Sequence, residues 1–122
     1  MNYWLAKSEP TVYSYQDLVR DTATSWTGVR NYQARNNLQA MQCGDHVLFY
    51  HSQTEKAVVG IATVTRAAFP DPTIPEEPAW VAVELSPLQA LSTPVGLAQF
   101  KSDPILQSSL LVRQSRLSVM PI

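Results

Sequence analysis

Four of the nine residues from Pro70 to Pro78 are proline, and no other feature limits the fold of this chain so strongly. Proline has no amide hydrogen to give to a sheet ladder. The segment Pro70-Asp71-Pro72-Thr73-Ile74-Pro75-Glu76-Glu77-Pro78 is therefore predicted to be a stiff loop between strands. Apolar sequence resumes at once on both sides, so the loop is not a domain boundary. The 122 residues are read as a single domain over 1–122. A chain of this size buries roughly two-thirds of its unfolded surface and can hold a core without staples. With 45% hydrophobic and 16% charged residues, it is not a disordered chain.

Local pattern divides the rest. Tyr3–Ser8 alternates and reads as a strand, closed by Glu9-Pro10. Ser14 followed by Asp17 forms a start resembling a capping box for a short helix through Arg20. Asn31 is placed to cap a helix over Tyr32–Met41, with Gly44 as its stop. Strands are predicted over Asp45–Tyr50, the β-branched run Ala57–Phe69, Trp80–Leu85 and Leu117–Met120. Thr93-Pro94 and Asp103-Pro104 each set a capping residue before a proline, which predicts two more short helices. Non-local strands dominate. The expected fold class is α+β, a β-barrel-like mixed sheet with short flanking helices.

Charge and composition remove several function classes. No apolar run reaches the ~20 residues needed to span a bilayer. The opening Met1–Lys7 has no basic region followed by an apolar one, so no signal peptide or membrane association is expected. The single Cys43 excludes an internal disulfide and fits a reducing compartment, so a cytoplasmic location is expected. The chain is also expected to be a monomer. A net charge of −1 argues against a broad basic face that coats nucleic acid. The charge is uneven, however. Residues 67–103 carry five acids against Lys101 alone, whereas 104–122 carry Arg113 and Arg116 without an acid. Residues 22–54 carry Arg30 and Arg35 against Asp45, so a small local anion site is compatible with the sequence.

Catalytic chemistry is poorly represented. Cys43, Asp45, His46 and His51 look superficially like metal ligands. His46 and His51 stand five apart on a predicted strand and face opposite ways, so they cannot share an ion unless a bulge intervenes. Ser52 follows His51 directly and faces away from it. The glycines at 28, 44, 60 and 96 form no phosphate loop. No metal, no cofactor and no catalytic residue is expected. Recognition chemistry is richer. Trp26-Thr27-Gly28-Val29-Arg30-Asn31-Tyr32-Gln33-Ala34-Arg35 combines an aromatic face, two arginines and amides aimed out of a helix start. That set suits an anion or a planar heterocycle. The same run also reads as a core tryptophan, a helix cap and solvated arginines, and the residues alone leave both readings open.

Five ordered segments carry a family resemblance. Tyr3-Trp4-Leu5-Ala6-Lys7-Ser8-Glu9-Pro10 resembles the YWLxKSEP opening of the EVE domain. Trp26 to Leu38 is similar to its WxGVRNYQARNxL signature. Phe49-Tyr50-His51-Ser52, Lys56–Ala62 and Val112–Pro121 resemble its FYHS, KxVVGIA and VRQSRLSVMP segments. The resemblance covers nearly the whole chain. It implies a PUA-like fold related to YTH and ASCH domains, and a domain associated with modified bases in DNA or RNA, with no established catalytic cycle. It further implies that Ser8, Trp26, Asn31, His51 and Ser52 line a base-sized pocket, with Lys7, Arg30, Arg35 and Arg116 at a phosphate-facing rim. Many relatives carry a longer acidic insertion between the positions of Phe69 and Trp80, and commonly continue past the closing motif. Two other functions are weighed against the base-binding module. One is a nucleic-acid hydrolase using His51, Glu9 and an arginine; the other is a protein-interaction module. His51 is expected half-buried with one ring nitrogen free, and Trp26 is expected to be removable with little loss of fold.

Overall fold

The computed structural model describes residues Met1–Ile122. Six strands, β1 (Tyr3–Ser8), β2 (Thr24–Ser25), β3 (His46–His51), β4 (Ala57–Pro70), β5 (Val81–Gly96) and β6 (Val119–Pro121), form one mixed sheet in the order β2-β5-β4-β3-β1-β6. Helices α1 (Tyr15–Asp21), α2 (Tyr32–Ala40), α3 (Leu97–Ser102) and α4 (Leu110–Arg113) flank it, with a 3-10 turn at Leu106–Ser108. This is the mixed α+β sheet with short helices that the sequence predicts. The only parallel pair is β1 with β3, joined by the crossover through α1, β2 and α2. Hydrogen bonds do not close the sheet, yet it curls. The end of β1 and the edge strand β2 line one cavity although three strands separate them in the sheet order. No helix is long and apolar enough to cross a membrane.

The core fills the inside of this curl. Leu5, Leu38, Val47, Phe49, Leu85 and Val119 are fully enclosed. Phe49 is the hub: the rings of Tyr15, Trp26 and His51 each meet it edge to face at 5.4 to 5.8 Å. Edge-to-face geometry is the favoured arrangement for such rings. Gly60 on β4 is required by this packing, because a Cβ there would fall 2.5 Å from the Tyr15 ring.

Several local expectations match. Ser14 and Asp17 form a full capping box on α1. Asn31 caps α2, its side-chain oxygen accepting the Ala34 amide at 2.9 Å. Others need correction. Gly44 does not stop α2; the helix ends at Ala40, with Met41 as cap, and Gly44 turns the chain into β3 at φ 92°. Thr93-Pro94 starts no helix. Both residues belong to β5, in an excursion where four residues oppose the single Val59 of β4, and α3 begins only at Leu97. Prolines are tolerated there because β2 pairs only with Glu84 and Leu85, which leaves the rest of β5 an edge. Asp103 does cap, accepting the Ile105 and Leu106 amides, but the turn it caps is 3-10. The two-residue β2 carries no sequence pattern and was not predicted.

Candidate functional site

The proline-rich loop builds the site by way of one residue. Asp71 is 1% exposed. Its carboxylate accepts the Thr73 amide and hydroxyl at 2.8 and 2.6 Å. It also accepts the Gly28 amide at 2.9 Å and Nη1 of Arg30 at 3.0 Å. Burial alone would raise its pKa. The donors from Thr73, Gly28 and Arg30 outweigh burial and hold it well below the usual carboxylate range. Gly28 sits at φ 83°, a conformation that only glycine adopts without strain. The segment from Trp26 to Arg30 is thus pinned from a loop more than forty residues away. The Trp26 amide donates to Val83 of β5 at 2.7 Å, and the indole rests on Phe49.

This pinned segment forms one wall of a cavity of about 590 Å³. The opposite wall is the end of β1 and the turn after it: Lys7, Ser8, Glu9 and Tyr13. Thr24, Ser25, Thr27 and Ser118 add hydroxyls around the rim. The volume lies within the range of small-ligand sites. The lining combines the Trp26 ring, several hydroxyls, two cations in Lys7 and Arg30, and the Glu9 carboxylate. Ser8 donates its hydroxyl to the Tyr13 carbonyl at 2.6 Å, which leaves its lone pairs as acceptors.

The structure therefore brings Lys7, Ser8, Trp26 and Arg30 together on one cavity and leaves the other candidate residues outside it. Asn31 is exposed and spends its oxygen on the helix cap. Arg35 lies over the Tyr32 ring, 5.0 Å from its centroid, beside Trp80. Arg116 is exposed on the turn between Ser115 and Ser118. Ser52 lines a different, smaller cavity. His51 is 8% exposed and lies behind Phe49, which itself lies behind Trp26. Both of its ring nitrogens are engaged. Nε2 accepts the Tyr15 amide at 3.1 Å, which puts the proton on Nδ1, and Nδ1 donates to Glu55 at 2.6 Å. The expected free nitrogen does not exist, because the turn after β3 brings Glu55 back onto the ring. Arg30 is a compensated cation, paired with Asp71, so its charge is largely spent at home.

A second buried carboxylate is structural. Asp45 accepts Nε1 of Trp4 at 3.0 Å and the Asn2 and Gln42 amides. Burial opposes its charge, but these donors lower its pKa. No cluster of three or more His, Cys, Asp or Glu side chains is arranged to hold a metal ion. Register shifts in the β3–β4 ladder put a bulge opposite Phe49 and Tyr50, yet it gathers no ligand set around His46 and His51. Asp71 is the site residue that sequence reasoning missed. Its signal was the loop itself: a lone aspartate between two prolines, in a stretch read only for stiffness.

The sequence matches the family model described as EVE domain over residues 2–122. The chain belongs to the EVE domain family. Mouse thymocyte nuclear protein 1 is 35% identical over 156 aligned residues, covering 99% of this EVE domain and 68% of the mouse protein. The chicken protein of that name is 31% identical, and this chain spans 63% of its length. An Agrobacterium tumefaciens protein of known crystal structure is 43% identical, with a TM-score of 0.96 over 100% of this chain and 85% of that one. Human thymocyte nuclear protein 1, crystallised in complex with 5-methylcytosine-containing DNA, superposes with a TM-score of 0.91. It is 31% identical over 100% of this EVE domain and 91% of that chain.

Proposed function

We propose that this EVE domain is a non-catalytic module that takes a modified base of a DNA strand, 5-methylcytosine first among them, into the 590 Å³ cavity. The observation that carries this reading is the position of Trp26. Its indole walls a cavity whose lining also carries hydroxyls, the cations Lys7 and Arg30, and the Glu9 carboxylate. A base leaving its stack loses a few kcal/mol, and stacking on an aromatic side chain returns roughly 1–3 kcal/mol per base. The hydroxyls of Ser8, Ser25 and Ser118 suit the base edge. The Glu9 carboxylate is an acceptor suited to the exocyclic amine of cytosine, which thymine replaces with an oxygen. Val12 and Val29 supply apolar lining for a methyl group, worth about 0.8 kcal/mol if fully buried. The DNA complex of the human relative supports the choice of 5-methylcytosine.

What supports a binding role over hydrolysis is the state of His51. A hydrolase built on Glu9 and His51 needs a ring nitrogen free to move a proton at the cavity. Here both nitrogens are engaged behind Phe49, and the carboxylate that reaches the ring is Glu55.

The test is a titration of short oligonucleotides at fixed salt, differing only in one cytosine or 5-methylcytosine, as single- and double-stranded DNA and as RNA. Fluorescence of the tryptophans and anisotropy of the strand are read together. The expected result is intact strands, with DNA carrying 5-methylcytosine bound about fourfold more tightly than its unmethylated twin. Strand cleavage, or equal affinity for both, overturns the reading.

A further inference from the structure

Lys7 borders two cavities. The first is the base cavity. The second, about 250 Å³, is lined also by Tyr50, Ser52, Gln53 and Lys56. The register of β1 and β3 explains the arrangement, since it sets Lys7 beside Tyr50 and Ser8 beside His51. Neighbouring residues on a strand face opposite sides, so the two pairs part.

The lining of the second cavity is one-sided in its chemistry. No carboxylate lines it. Lys7 donates one hydrogen to the Ser115 carbonyl at 2.7 Å, lies 5.7 Å from the Tyr50 ring centroid, and joins no ion pair. Lys56 has no ion pair either. The acid next to it in sequence, Glu55, is turned onto His51 at 2.6 Å. Glu9 approaches only the rim, where Nε2 of Gln53 reaches it at 3.4 Å.

The lining of the cavity includes an unspent polar group. Tyr50 lines the cavity and is 3% exposed, yet its hydroxyl makes no hydrogen bond within the chain. Ser109 Oγ is the only fully enclosed side-chain polar atom without a partner, so the Tyr50 hydroxyl is not sealed in the core. Desolvation raises the Tyr50 pKa and keeps the hydroxyl a donor. The hydroxyl is therefore an uncommitted donor on a lining that also carries the ammonium groups of Lys7 and Lys56.

We propose that this second cavity is a phosphate site, with Lys7, Lys56, Ser52 and Tyr50 as its donors. A phosphate group with one or two charges suits two ammonium groups and two hydroxyls. Resting on the base-binding reading above, the phosphate is the backbone phosphodiester flanking the base in the first cavity. Lys7, shared by both cavities, then joins base and backbone recognition. A free phosphate is the other source of the same chemistry.

The experiment uses the full chain and inorganic phosphate as the probe. Phosphate is titrated into 15N-labelled protein at constant ionic strength held with chloride. Saturable shifts are expected at the Ser52, Gln53 and Lys56 amides, weakened at least threefold in Lys56→Gln and in Tyr50→Phe, each checked for folding by its melt. In parallel, the salt dependence of oligonucleotide binding is measured for wild type and Lys56→Gln. Loss of one phosphate contact to a single strand lowers the slope of log affinity against log salt by about 0.7. An unchanged slope with the phosphate shifts intact keeps the site and assigns it to free phosphate. Phosphate shifts without any oligonucleotide binding keep the site and overturn the base-binding reading. Oligonucleotide binding with no saturable phosphate shift and an unchanged slope overturns the phosphate site and leaves the base-binding reading standing.

Discussion

The Asp71 carboxylate accepts the Gly28 amide at 2.9 Å, across a separation of 43 residues. It also holds the Arg30 guanidinium at 3.0 Å, with its own side chain wholly buried. One aspartate thus carries the proline-rich loop, the glycine turn and the rim arginine as a unit. The wall that holds Trp26 depends on a residue that does not itself line the cavity.

Asp71→Asn is expected to cost about 3 kcal/mol of stability at pH 7, because Arg30 loses its counter-charge and the two donors that meet the new amide nitrogen lose their acceptor. The folded-state pKa is depressed, so the contribution is fully present above the unfolded value of about 3.9. As pH falls below that value, the unfolded chain binds a proton that the folded chain does not, and the contribution shrinks. Urea denaturation at several pH values checks this: the gap between wild type and variant should be constant from pH 7 to about 5 and narrow towards about pH 2.

Trp26→Ala is expected to weaken oligonucleotide binding by tenfold or more, the loss of one base stack. Sequence reasoning set wall against core for this residue; the structure makes it both, half-buried on Phe49 and lining the cavity. The variant should therefore also lose roughly 2 kcal/mol of stability. Trp26→Phe should recover most of the stability and part of the affinity. Thermal melts and titrations on the same samples separate the two effects.

Glu9→Gln is expected to reduce the preference for 5-methylcytosine over thymine by about tenfold. A carboxylate accepts from the cytosine amine and repels the thymine oxygen, whereas an amide can turn to serve either. Competition between two oligonucleotides differing only at that base reads the effect directly. An unchanged preference would assign the choice of base to the hydroxyls.

His51→Ala is expected to lose about 2 kcal/mol of stability by leaving the Tyr15 amide buried without an acceptor. Affinity for the oligonucleotide, measured well below the melt, should stay within about threefold of wild type. A selective loss of binding with an unchanged melt would return His51 to the site.

Local physics made much of the fold legible. β1 and both major helix starts follow from neighbours in sequence, since a capping box and an Asn cap are built within four residues. The clearest error has a tertiary cause. Thr93-Pro94 looks like a helix start, but it lies on a strand edge that exists only because β2 is two residues long. Whether a proline caps a helix or sits in a bulge depends on what lies beside it, and that neighbour comes from elsewhere in the chain.

The site divides the same way. Residue types and motifs carried the family and the presence of Lys7, Ser8, Trp26 and Arg30 in one place. The curl of the sheet decided which motif residues face the cavity, because it sets β2 opposite the end of β1 and puts Phe49 between Trp26 and His51. It decided the roles of the acids too. Glu55 turns to His51, Asp71 to Gly28 and Arg30, and Glu9 is left to the cavity. A motif states which groups are available, whereas hydrogen bonds between residues dozens of positions apart determine which of them are already spent.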